Sequence, residues 1–264
     1  MSYLYLDHNI YIYMSQELSI KKKISMLKDY GIQCVYSPAH IEEIHVANIQ
    51  NTAGDYTCTV KKLFSLISDI TDDLECLPTL SMGVIVKSES PVQCYKRVKQ
   101  MDTITRVQND SEIKFELDKK HYRDMVQMDK HNTNISTLSS EEVWLYPVIA
   151  QTIKNFNQNI DAVIQQYNSS KEVIICALVG IDKTLPESYR LLQGGYKIFK
   201  NSHKQLEFSI EILFRILNQN GYNAEKSLGK TISGTHDISH AIYATAAKWL
   251  FTTDSRFYAK CKAV

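Results

Sequence analysis

The sequence predicts an α/β fold: a small parallel sheet of about four strands flanked by helices, with a large and mostly helical insertion. Three observations predict it. The chain opens on a short apolar and aromatic run, Ser2-Tyr-Leu-Tyr-Leu, that ends in Asp7. A helix, strand and helix pattern follows up to about residue 50. The C-terminal stretch then repeats the theme, with Thr235-His-Asp237-Ile-Ser-His240-Ala-Ile-Tyr-Ala as helix, Trp249-Leu-Phe-Thr-Thr253 as strand, and Asp254 where that strand ends. Strand-end loops are where α/β sheets place their chemistry, so acids at both chain ends point to one shared site.

Each element has a local reason. Residues 2–7 carry no helix signal and read as the first strand. Residues 17–30 read as an amphipathic helix with Leu18, Ile20, Ile24, Met26 and Leu27 apolar, stopped by Gly31 in the C′ position. Gln33-Cys-Val-Tyr36 is a second strand. Ser37-Pro38 opens the next helix, serine as cap and proline in the first turn, where its missing N–H costs nothing. From about 54 to 232 the character changes to a helical insertion or extended helical layer. Apolar residues recur at helical spacing in 59–70, 141–167 and 204–218. Residues 74–86 suit a short hairpin or loop, and the polar stretch 103–138 suits loose structure. Thr235 caps a last long helix running to about Lys248, with Ile238, Ala241, Ile242 and Ala246 inward. A short helix closes the chain.

Composition excludes little. The formal charge is +1, so overall charge says nothing about a nucleic-acid partner, and only local patches can. Basic candidates for phosphate contact are Lys21–Lys23, the segment Lys197 to Lys204, and Arg256 with Lys260 and Lys262; the plainer reading of such charges is a solvated helix face. Sixteen tyrosines suit base stacking as well as core filling. The six cysteines are scattered without a C-x-x-C pair, which argues against a zinc knuckle. The opening residues lack a signal-peptide pattern. The most apolar run, Val173 to Val179, falls far short of the ~20 residues that span a bilayer. The expectation is a cytoplasmic protein with reduced thiols and no membrane association.

Four acids stand out: Asp7 after the first strand, Glu43 in the helix after the second, Asp237 in the first turn of the late helix, and Asp254 after the late strand. Clustered carboxylates repel and need a cation to be stable together. An oxygen-only set suits Mg²⁺ or Mn²⁺, and such an ion activates water and neutralises charge on a phosphodiester. Each acid has a plainer reading. Asp7 and Asp237 would serve as helix caps or satisfy first-turn N–H groups. Glu42 competes with Glu43, and His240 would be a packed, hydrogen-bonded histidine.

The order of these motifs resembles the PIN-domain nucleases. Carrying that resemblance are the strand-end Asp7, Ser37-x5-Glu43, Asp237-x-x-His240-Ala-x-x-x-Ala, and Thr252-Thr-Asp254 followed by Phe257. It covers residues 1–53 and 233–264, which would form a discontinuous nuclease core with 54–232 as the insertion. It implies a PIN-like fold and a metal-dependent endoribonuclease that leaves 5′-phosphate and 3′-hydroxyl ends. Asp7, Glu43, Asp237 and Asp254 would hold Mg²⁺ or Mn²⁺. Asn9, Thr253, Arg256 and His240 would face substrate, with RNA favoured over DNA. Many members resemble toxins of toxin–antitoxin or phage-defence systems, which implies an inhibitor or activator protein and admits a homo-oligomer. The alternatives are a DNA-cleaving nuclease, and a non-catalytic PIN-like scaffold that binds RNA or protein. A mostly helical regulatory protein, with the acids present only as caps, is a further rival.

Overall fold

The computed structural model describes residues 2–50, 56–79, 83–100, 135–169, 203–224 and 228–264. Strand β1 (Ser2–Leu6) lies between β2 (Ile32–Val35) and β5 (Trp249–Phe251), and both pairings are parallel. Among the described residues the parallel sheet therefore has three strands, against the expected four. Tyr3, Leu4 and Tyr5 face Gln33, Cys34 and Val35 across the first pairing, and Leu4 and Leu6 face Trp249 and Phe251 across the second. The chain leaves β1 to one side for β2 and returns at its end to the other side. That topology puts a switch point at the carboxyl end of β1, where Asp7 stands.

Helix α1 (His8–Gln16) follows immediately, a helix that the sequence pattern did not suggest. Its Ile, Tyr and Met composition hides it from propensity; burial of Ile10, Tyr11 and Met14 decides the conformation. The expected helix over 17–30 divides into α2 (Leu18–Ser25) and a tighter 3₁₀ turn, Met26–Tyr30, which ends at Gly31 with φ +72°. On α2, Lys21 bonds Asp69 at 3.2 Å. Lys21 is thus tied to its own chain, whatever Lys22 and Lys23 meet. Helix α3 (Pro38–Gln50) begins at the expected proline.

Helix α4 (Tyr56–Thr71), the antiparallel hairpin β3 (Leu74–Thr79) and β4 (Gly83–Ser88), and α5 (Pro91–Gln100) come next. The hairpin fits the expectation for 74–86. It joins the sheet edge through a single parallel bridge, Tyr36 to Glu75. These elements belong to the N-terminal core: Leu63, Phe64, Ile67, Ile70 and Cys94 share one apolar cluster with Leu4, Leu6, Ile10, Tyr11 and Ile41. Helices α6 (Pro147–Ser169) and α7 (His203–Gln219) fall where apolar periodicity predicted them. They bury Ile149, Ile153, Leu213 and Leu217 together. The polar stretch expected over 103–138 lies almost wholly outside the described residues. So do the apolar run Val173 to Val179 and most of Lys197 to Lys204.

Helix α8 spans Leu228–Ala244, so it starts before the expected cap at Thr235 and stops short of Lys248. Gly229 and Gly234 each cost about 1 kcal/mol in a helix interior, which is why local signals favour a later start. At its C-terminal end Thr245, Ala246 and Ala247 bond the carbonyls of Ile242, Tyr243 and Ala244, a 3₁₀-type tightening. Lys248 N–H then reaches the Tyr3 carbonyl and starts β5. Helix α9 (Ser255–Ala263) closes the chain. Among the described residues no helix is long and apolar enough to cross a membrane, and Cys34, Cys76, Cys94 and Cys261 are free thiols.

Candidate active site at the carboxyl edge of the sheet

Asp7 is buried at the carboxyl end of β1. Its backbone N–H continues the sheet by bonding the Phe251 carbonyl at 2.9 Å. It occupies the N-cap position of α1, yet its side chain makes no capping bond, so the plain capping reading does not hold. Instead, Thr252 Oγ1 donates to Asp7 Oδ2 at 2.7 Å, and Asn9 Nδ2 reaches the same oxygen at 3.5 Å. The residue that supports Asp7 is thus Thr252; its neighbour Thr253 is exposed.

A line of polar groups crosses beneath this acid. Ser37 N–H donates to His40 Nδ1 at 3.0 Å, and His40 Nε2 stands 2.7 Å from the Leu6 carbonyl. Because Nδ1 accepts, Nε2 carries the hydrogen, and the ring is neutral. His40 plays the part that Glu or Gln takes in a capping box, reaching back from the third helical position. Ser37 Oγ, also 3.2 Å from His40 Nδ1, meets Tyr5 OH at 2.6 Å, and Tyr5 OH meets His240 Nδ1 at 2.7 Å. Tyr5, Ser37, His40 and His240 are all fully buried. Burial, with His240 alongside, holds His40 well below the usual imidazole range.

Glu43 lies between two imidazoles. His8 Nδ1 stands 3.6 Å from Glu43 Oε2, and His240 Nε2 stands 3.4 Å from Glu43 Oε1. Burial works against the Glu43 charge, but His8, His240 and His236 outweigh it and hold the carboxyl below its ordinary range. Burial works against a charged His240 too, yet Glu43, Asp7 and Asp237 raise its proton affinity. For His8 and His236 burial wins, and both are lowered. Asp237 is pushed up to about 7, first by burial and then by Asp7 and Glu43, with Lys260 and His240 opposing. It lies well inside α8, so it does not serve the first-turn N–H groups that the sequence had offered as its plain role. Glu42, the competitor of Glu43, is also pushed up to about 7 by burial.

Asp237 thus acts electrostatically with Asp7 and Glu43, and Glu43 with His8, His236 and His240. Asp254 adjoins Asp7 through Thr252, its backbone N–H donating at 3.0 Å to the Thr252 Oγ1 that bonds Asp7. Asp254 is the N-cap of α9, its Oδ1 accepting from Arg256 N–H at 2.8 Å and Phe257 N–H at 2.9 Å. Asn9 is exposed, with Nδ2 3.5 Å from Asp7 Oδ2. Lys260, expected to be available for phosphate contact, is instead buried on α9, with Nζ 3.4 Å from Asn218 Oδ1. Its charge acts on Asp237. Sequence reasoning missed Tyr5 and Thr252 as site residues and gave Lys260 a different role. Tyr5 and Lys260 look like ordinary strand and helix positions, but Thr252 shares the Thr-Thr-Asp motif, and only the register of β5 selects it over Thr253.

Carboxylates and imidazoles are donor types that divalent cations accept. Asp237 acts electrostatically with Asp7 and Glu43, His8 Nδ1 and His240 Nε2 face the Glu43 carboxylate, and His236 Nε2 is a buried nitrogen without a hydrogen-bond partner. Among the described residues no three His, Cys, Asp or Glu side chains stand close enough together to hold a metal ion. Comparison with known proteins found no matching family model, no matching curated protein and no matching solved structure.

Proposed function

We propose that this chain is a PIN-like, Mg²⁺- or Mn²⁺-dependent phosphodiesterase that cleaves RNA in preference to DNA. One observation supports the reading: Asp7 stands at the carboxyl end of β1, at the switch point of a parallel sheet, and Asp237 acts electrostatically with both Asp7 and Glu43. The preference for RNA comes from the family resemblance alone.

Asp7, Glu43 and Asp237 would hold the cation. A bound divalent ion supplies charge neutralisation for the phosphodiester and acidifies water. Thr252 fixes Asp7, Tyr5 fixes His240, and the flanking imidazoles keep Glu43 ionised. Burial pushes Asp237 up to about 7, and a bound cation would favour its ionised form. Asn9 and Thr253, both exposed, would contact the substrate backbone. The buried Lys260 offsets part of the negative charge.

The test is cleavage of labelled RNA and single-stranded DNA with Mn²⁺ or Mg²⁺ by the native protein, Asp7→Asn, Asp237→Asn and Asp254→Ala. Cutting by the native protein is expected to fall at least 100-fold in the first two variants. Asp254→Ala should lose about 1 kcal/mol of stability from its helix cap and keep more activity than either. A native protein that neither cuts with these metals nor binds Mn²⁺ rules the reading out in favour of a non-catalytic scaffold.

A further inference from the structure

We infer that the cleft between α7, α8, β5 and α9 binds a nucleotide of single-stranded RNA, its base against Trp249 and Tyr258 and its phosphate on Lys248 and Lys262, so that the strand runs on along β5 to Asp7. The inference rests on the proposed RNA-cutting function for the nature of the polymer, and it names a binding subsite for that substrate away from the acids.

Four observations carry it. The cleft has a volume of about 350 Å³, within the range that small ligands occupy. Its floor is apolar, with Phe214 and Ala241 buried and Leu250 half-buried. Two exposed aromatic residues line it, Trp249 at 40% and Tyr258 at 56%. Among the described residues, the charged side chains that line it are Lys248 and Lys262, with no Asp or Glu. Glu141, whose charge acts with Lys262, is not part of the lining. Aromatic and apolar surface suits a planar base, and two ammonium groups without an acid between them suit a phosphate. A nucleotide offers both in one molecule.

Position ties the cleft to Asp7. Lys248 Nζ stands 4.6 Å from the Trp249 ring centroid, so a cation and an aromatic surface come as one unit. Trp249 and Phe251 lie two residues apart on β5, hence on one face of the strand and about 6.8 Å apart along it. Phe251 is exposed as well, and β5 is the edge strand of the sheet among the described residues. The Phe251 carbonyl accepts from Asp7 N–H at 2.9 Å. On the other side of the cleft, Tyr258 N–H donates to the Asp254 carbonyl at 2.9 Å, and Asp254 N–H reaches the Thr252 hydroxyl that holds Asp7. A strand with one base in the cleft and the next on Phe251 brings its following phosphate toward Asp7. Aromatic surfaces in series with cations beside them suit a single strand, because every base has a π face to stack. A duplex keeps its bases inside and leaves these residues unused.

The experiment is fluorescence anisotropy of a short end-labelled single-stranded RNA titrated with the full chain in a chelator, over a range of salt concentrations. Unlabelled strand, duplex RNA of the same sequence and adenosine monophosphate serve as competitors. The variants are Trp249→Ala, Tyr258→Ala and the Lys248→Ala/Lys262→Ala pair, with circular dichroism melting as the folding control. Binding is expected to weaken about 10-fold or more in each aromatic variant. The slope of log affinity against log salt should become shallower by about 1.4 in the lysine pair, roughly 0.7 for each phosphate contact on a single strand. Duplex and free nucleotide should compete at least 10-fold less well than the strand. Unchanged affinity and slope in all three variants overturn the inference, and Mn²⁺-dependent cutting with unchanged KM in those variants then leaves the nuclease standing. A duplex that competes as well as the strand overturns it, and so does the free nucleotide, which would then be the occupant of the cleft. Binding that depends on the cleft, in a chain that never cuts with Mn²⁺, keeps the subsite and overturns the nuclease. No binding of any RNA overturns both. If Trp249→Ala does not fold, Tyr258→Ala and the lysine pair decide, since all three of those side chains are exposed.

Discussion

His40 sits at the third position of α3, enclosed and neutral, with one ring nitrogen on Ser37 N–H and the other on the Leu6 carbonyl. Folding therefore excludes a proton that the unfolded chain binds below about pH 6.5. Stability from this residue is present above that pH and is lost as pH falls through and below it, by up to about 1.4 kcal/mol per unit. The thermal midpoint of the metal-free protein should drop between pH 7 and pH 5. His40→Gln should flatten part of that slope while lowering stability throughout by about 1–3 kcal/mol, because two buried groups lose a fitted partner. An unchanged slope in the variant assigns the acid sensitivity to other groups. Individual residues show how far sequence carries. Asp7, Glu43 and Asp237 stand out by their order along the chain, since each belongs to an element whose type can be read locally. Asp254 stands out equally, yet its carboxylate caps α9; an acid after a strand and before a helix serves either purpose, and sequence does not separate them.

Among the elements, α4 carries the clearest consequence. Local signals give it as the beginning of an insertion, but Leu63, Phe64 and Ile67 pack in the same cluster as the first strand and α1. Ile67 is fully buried there. Ile67→Ala should cost about 2–5 kcal/mol in chemical denaturation and should lower the stability of the whole N-terminal core. A cost below 0.5 kcal/mol, or a separate early transition, would mean that α4 is a loosely attached layer. Periodicity locates α4, α6 and α7 because long apolar patterns are robust to context. It fails at α1, where a strand-like composition folds as helix, and at the start of α8, where two glycines argue against the helix that forms. In both places a single-residue preference of at most about 1 kcal/mol is outweighed by tertiary packing.

For the molecule as a whole, folding brings the last thirty or so residues beside the first, so the site exists only in the folded chain. A cation that binds the folded state alone should then stabilise all of it. At a Mn²⁺ concentration 100 times its dissociation constant the gain is about 2.7 kcal/mol. The native melting temperature should rise with Mn²⁺, and the rise should vanish in Asp7→Asn; equal shifts in both proteins would place the ion elsewhere. The sequence by itself determined the α/β class, the strand-end acids and most helices, because strand alternation, apolar periodicity and caps act over a few residues. Only the tertiary structure decided that β1 lies between β2 and β5, that Thr252 rather than Thr253 holds Asp7, and that Lys260 turns inward toward Asp237. Those outcomes depend on strand register and on burial among residues far apart in the chain, and no local pattern encodes either.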